Sequence, residues 1–259
     1  MSKKNMFSGG GNPFLNEDKF REAARNDARV DTLDGDFLQV RERMTVQGAI
    51  NKSFILLAIM LVTAGVAFVM PSNLFLYGGL FGGLGVVIWA SFKQHLSPTL
   101  APLYAALEGL FLGTVTAKYA YAFGQGIVFS AVSLTIALLF AMLFIYKTEI
   151  IKVTSKFRTG VMMATGGIML VYLLTWILSF FNIPMPFIHD TGMMGIGISL
   201  FIIVIACMNL LLDFDNFEKG EQYGAPKYYE WYSAMGLMIT LVWLYIELLR
   251  LLAKLSSSD

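Results

Sequence analysis

Seven stretches of predominantly apolar residues divide the chain, at approximately Ala49 to Met70, Asn73 to Phe92, Ala101 to Tyr121, Gly126 to Tyr146, Gly160 to Phe181, Gly192 to Leu212 and Trp231 to Leu252. A helix needs about 20 residues to cross roughly 30 Å of hydrocarbon, so each stretch predicts one span. None alternates polar and apolar residues in segments of about ten, the pattern of a membrane barrel. The backbone must therefore satisfy its own hydrogen bonds within each segment. The pattern predicts an all-α integral membrane protein with seven transmembrane helices.

Composition strengthens this reading, with 56% hydrophobic and 14% charged residues over 259 positions. Soluble domains carry roughly a quarter charged residues. The charge that exists is concentrated before the first apolar run: residues 1–44 hold eight lysines and arginines among eight acids, with a Ser8-Gly9-Gly10-Gly11 run near their start. This predicts a solvated, disordered tail over 1–44, within which Glu17 to Val30 can form a short mixed-charge helix, and a membrane domain over 45–259. The tail lacks the order of basic, apolar and small residues that marks a signal peptide, so the first run is expected to be a true span. The closing SSSD resembles no lipidation signal. One cysteine, Cys207, leaves no intrachain disulfide.

Basic residues accumulate in short cytoplasmic loops. With the N-terminus inside, that side receives Arg41, Arg43, Lys52, Lys93, Lys147, Lys152, Lys156, Arg158, Lys219 and Lys227, against Lys118, Arg250 and Lys254 opposite. A cytoplasmic N-terminus is expected. The second run carries two overlapping GxxxG registers within Tyr77 to Gly85, and Gly109 and Gly113 repeat the spacing in the third. Such spacing lets helices approach closely, so these glycines predict packing. Trp89, Tyr119, Tyr121, Trp176, Trp231 and Tyr232 fall near span ends, where aromatic rings favour the headgroup zone.

Few residues in the spans carry chemistry. Glu108 falls about seven residues into the third run, roughly 10 Å below the cytoplasmic end at 1.5 Å per residue. An ionisable group in hydrocarbon is a functional candidate, and the bland alternative is a protonated Glu satisfied by one neighbour. The sixth run ends in Asp213, Asp215 and Glu218, acids at a carbonyl end that already carries partial negative charge. Asp213 and Glu108, if brought together, would share a proton and couple cation occupancy to pH. Asp215 and Glu218 also fit a hydrated helix end. Glu247 and Arg250 are spaced i to i+3 in the seventh run, a structural ion pair or an outer-mouth pair. His95 and His189 fall on opposite sides of the membrane and cannot share a metal. No Gly-x-Ser-x-Gly elbow or His-Glu-x-x-His helix is present, so no enzyme activity and no cofactor are expected.

Several segments together resemble one family: Ser97-Pro98 with APLYAALEGLFLG (101–113), YKTEIIKVTSKF (146–157), LLLDFDNFEKG (210–220), GAPKYYEW (224–231) and LVWLYIELLRLLAKL (241–255). They resemble the transmembrane Bax inhibitor motif family, in its bacterial YccA-like branch, across about residues 45–255. The resemblance implies two three-helix layers around a central C-terminal helix. It also implies a pH-sensitive leak of calcium or protons, gated by two aspartates that share a proton when closed. Asp213 matches the first aspartate, with Asp215 as the alternative register. The second has no counterpart, because Leu237 to Leu244 contains no acid. Either Glu108 or the other member of the Asp213 and Asp215 pair supplies the missing carboxylate, or this branch does not conduct calcium in that manner.

The expectation is a pH-sensitive leak channel for calcium or protons in the bacterial cytoplasmic (inner) membrane. Asp213 and Glu108 would form the proton-sensitive site that holds calcium transiently, with Asp215 at its entrance. Partners would be membrane lipid and the ion, with no nucleic acid. The rival reading is an interaction protein whose charged tail modulates a membrane protease or quality-control machinery, as the resemblance implies for this branch.

Overall fold

The computed structural model describes residues 42–181 and 192–257, together with Glu22 and Arg25. It is all-α, with seven helices long and apolar enough to cross a membrane: α1 (Val46–Val69), α2 (Asn73–Phe92), α3 (Ser97–Phe123), α4 (Gln125–Lys147), α5 (Ser155–Phe180), α6 (Met193–Gln222) and α7 (Tyr229–Ser257). A single 3-10 turn, Gln94–Leu96, precedes α3. Glu22 and Arg25 are helical and exposed, and the rest of the predicted tail before Glu42 lies outside the described residues, as do His189 and Asp190.

Local chemistry sets the ends. Thr45, Ser72 and Thr154 are extended residues whose hydroxyls accept the N–H groups of Gly48, Leu74 and Phe157, capping α1, α2 and α5. Each satisfies one donor that the first turn leaves without an intrahelical partner. Only Gly124, at φ +86°, separates α3 from α4. A side chain is strained in that left-handed conformation, so glycine makes the one-residue turn.

The chain forms two compact units. The first comprises the residues up to Ala117 with Leu212–Ile239, and the second Lys118–Leu211 with Thr240–Asp259. In the first, α3 packs against α1 and α2 at glycines. A Cβ on Gly109 would meet Met60 O at 2.4 Å, one on Gly113 would meet Ala64 O at 2.1 Å, and one on Gly79 would meet Leu107 O at 2.6 Å. The packing read from the GxxxG spacing is therefore real for Gly79, Gly109 and Gly113, whereas Gly78 and Gly85 face open space. In the second unit Ile168, Ile202 and Ile205 form a buried cluster flanked by Tyr172 and Trp243.

The sixth helix departs from expectation. It continues ten residues beyond Leu212 to Gln222, so Asp213, Asp215 and Glu218 lie inside the helix and not after it. Dipole effects fade beyond the last turn, and Asp213 stands nine residues from Gln222, so its environment is set by burial and not by the helix end.

Substituting Gly113→Ala forces a methyl group into the Ala64 carbonyl and should destabilise the protein by about 1–3 kcal/mol, the usual cost of overpacking. Gly78→Ala, in open space on α2, should be neutral or stabilising by up to about 1 kcal/mol through helix propensity. Thermal unfolding of both variants in one detergent checks the contrast.

Candidate functional site

Alternate crossing of successive spans puts the start of α3 and the end of α6 on the same side of the membrane. Glu108 is 11 residues from Ser97 and Asp213 nine residues from Gln222, about 16 Å and about 14 Å along their helices. Both belong to the first unit, and both are buried, Glu108 at 8% and Asp213 at 0% exposure. Each acid thus stands a similar distance along its helix from the end on that side.

Glu108 is the more unusual of the two. Its Oε2 points at Gly83 on α2, and Tyr104, one turn earlier on α3, lies beside the same glycine. Among the described residues nothing forms a hydrogen bond or ion pair with the Glu108 carboxyl. A buried carboxyl without a partner is costly, and it is relieved by a proton or a cation.

Asp215 is only partly buried, and its Oδ2 lies 3.1 Å from the Lys219 ammonium one turn later. A cation at Asp215 therefore faces a fixed positive charge. No group of three or more histidine, cysteine, aspartate or glutamate side chains that could hold a metal exists among the described residues.

Glu247 and Arg250 are brought together, in the second unit. Glu247 Oε1 accepts from Arg250 Nη1 at 2.8 Å and from the Tyr172 hydroxyl of α5 at 2.5 Å. Arg250 Nη1 also donates to the Tyr172 hydroxyl at 2.8 Å, with the guanidinium 5.3 Å from the ring centroid. Glu247 is 1% exposed, so the acid of this ion pair is buried while its arginine is partly exposed. One turn on, Lys254 is buried and donates to Gly195 O and Ser199 Oγ of α6, both at 2.9 Å. The sequence pattern puts Lys254 only on the side opposite the N-terminus, and it gives no sign of Tyr172. A polar ring deep in an apolar run, 75 residues from the acid it meets, leaves no periodic signal.

An acid that the sequence pattern does not single out is Glu230, 2% exposed at the start of α7. Its Oε1 accepts both the N–H and the hydroxyl of Thr45, and its carboxyl fills the space over Gly48. Around it, the residues before α1 pair with the α6–α7 turn: Met44 N–H donates to Ala225 O at 2.7 Å and Lys227 N–H to Glu42 O at 3.1 Å. Gly224, at φ +63°, ends α6 with Ala225 N–H bonded to Gly220 O and Gly224 N–H to Glu221 O, a Schellman ending. The Lys227 ammonium bonds the Glu42 carboxylate, holding that acid below its usual range and raising the Lys227 amine. The contribution of this exposed pair is present above the ordinary range of a free glutamate and is lost as pH falls through the depressed range of Glu42.

Seven helices of membrane-spanning length that enclose buried acids define a class, the polytopic α-helical membrane protein with acids inside its helices. The chain matches the family described as Bax inhibitor 1 like over residues 12–257, and it belongs to that family. The match begins well inside the charged tail, which the motif resemblance had left out. No curated protein and no solved structure matches the chain.

Arg250→Leu should destabilise the protein by about 2 kcal/mol or more, below the ~3–5 kcal/mol of a fully buried pair because the Arg250 side chain is 31% exposed. Adding Glu247→Gln should recover most of that loss, since no buried charge is then left alone. Unfolding of the single and double variants measures the recovery.

Proposed function

We propose that the protein is a pH-sensitive cation leak pathway of the bacterial cytoplasmic membrane, passing calcium or protons, in which Glu108 and Asp213 form the ion-sensitive pair. The observation that carries this reading is Glu108, a carboxyl buried in a membrane span and bonded to no described residue. Asp213, fully buried in the same unit, supports it. Calcium favours six to eight oxygen ligands, so two carboxylates completed by water make a weak site suited to passage and not to storage. Asp215, paired with Lys219, is the entrance acid.

The sign of the pH effect follows from competition. A proton on the pair removes the charge that attracts calcium, so acid suppresses flux and rising pH releases it. Membership in the YccA-like branch, on EGLFLG, LDFD and WLYIELLR, and a cytoplasmic N-terminus, on the ten-to-three excess of basic residues, complete the proposal.

In vesicles loaded with a calcium dye, Asp213→Asn should lower calcium flux by about tenfold or more, corresponding to about 1.4 kcal/mol of lost ion stabilisation, and flatten its pH dependence. Unchanged, pH-dependent flux in that variant removes Asp213 from the mechanism. Wild-type vesicles that never leak calcium or protons overturn the leak reading and favour an interaction role for the charged tail, tested by whether deleting residues 2–40 abolishes capture of a membrane protease.

A further inference from the structure

The two glycines of one GxxxG register on α2 do different things. Gly79 lies against α3 backbone: a Cβ there would stand 2.6 Å from Leu107 O and 2.9 Å from Phe111 N. Neither atom can move without displacing the helix. At Gly83, one turn later, the nearest backbone of α3 is out of reach. A Cβ would meet only Glu108 Oε2, at 2.7 Å, with Tyr104 Cε2 at 3.8 Å and Glu108 Cδ at 3.9 Å in ordinary contact. The helices therefore do not need glycine at position 83 in order to approach. The carboxyl of Glu108 needs it, because that carboxyl occupies the volume a side chain would fill.

We propose that Gly83 is a positioning residue for Glu108: the missing Cβ is the recess that holds the unpartnered carboxyl in place on α3. This rests on the reading of Glu108 as part of the ion-sensitive pair, but the contact itself stands apart from it. Glu108 is 8% exposed, and no hydrogen bond or ion pair among the described residues fixes its carboxyl, so shape is left to do so. A methyl group at 83 pushes aside the far end of a flexible side chain, not a helix. The result is a moved carboxyl on an intact fold.

The test is a pair of double-mutant cycles, Gly83→Ala with Glu108→Asp and Gly79→Ala with Glu108→Asp, each read in two ways. Aspartate withdraws the carboxyl by one methylene and makes room for the added methyl. In calcium flux from vesicles, Gly83→Ala should raise the half-saturating calcium by about tenfold or more with little change in maximal rate, since small misplacements of an active group cost that much. Glu108→Asp should bring the Gly83→Ala value back to within about threefold of wild type, whereas Gly79→Ala should not be rescued. In thermal unfolding, the 83–108 cycle should be non-additive and the 79–108 cycle additive.

Additive behaviour of the 83–108 pair in unfolding overturns the contact. Non-additive unfolding with an unmoved half-saturating calcium in a conducting protein overturns the positioning role. If the wild type passes no calcium, the calcium arm of the leak reading falls by itself, and the position of the carboxyl is then read from the infrared carboxyl band that Glu108→Gln removes. That band should shift in Gly83→Ala and return in the double variant, and a band unmoved by Gly83→Ala sinks the proposal.

Discussion

The first unit depends on how closely α3 can approach its neighbours. In hydrocarbon no hydrophobic force drives one apolar helix onto another, so packing has to come from van der Waals contact at short range. Gly109 and Gly113 supply it by laying bare backbone against the Met60 and Ala64 carbonyls, and Gly79 does the same against Leu107. Glu108 sits between these contacts in sequence. Its burial follows from them: once α3 is drawn against both helices, the residue preceding Gly109 is carried into the interior whatever its polarity. The cost of enclosing a carboxyl is met by packing that is already in place.

The second unit is held differently. There the deep contacts include charge, with Glu247 and Arg250 joined through Tyr172 and with Lys254 reaching the first turns of α6. Each of these side chains finds a partner on another helix or one turn away, although Glu247 Oε2 is buried without one. The contrast with Glu108 is informative. Glu247 has two donors on Oε1, whereas the Glu108 carboxyl has none among the described residues.

What the sequence made legible follows from periodicity and length. Seven apolar runs of membrane-spanning length leave little freedom, and all seven helices are found close to the predicted positions. The end of α6 was misplaced because charge was read as the end of a span, while the helix carries Asp213, Asp215 and Glu218 on for ten more residues in the polar and buried margin. Glu108 and Asp213 were legible as acids in apolar surroundings. The partners of Glu247 and Glu230 were not, since Tyr172 and Thr45 lie 75 and 185 residues away and only the folded chain brings them close. Nor does spacing separate Gly79 from Gly83, because a GxxxG register records that a Cβ is missing and not what fills its place.

The bond between Thr45 and Glu230 also sets an order in time. Its two residues are 185 apart, so the recess over Gly48 forms when α1 is already made and is filled only when the start of α7 leaves the ribosome. At about 5–20 residues per second that interval is roughly 9–37 s. Throughout it, the entrance to α1 stands without the strap that Ala225, Lys227 and Glu230 later provide. The last helix to be synthesised is the one that closes the first, and a nascent chain halted before residue 230 would hold the glycine-packed helices of the first unit while lacking their fastening.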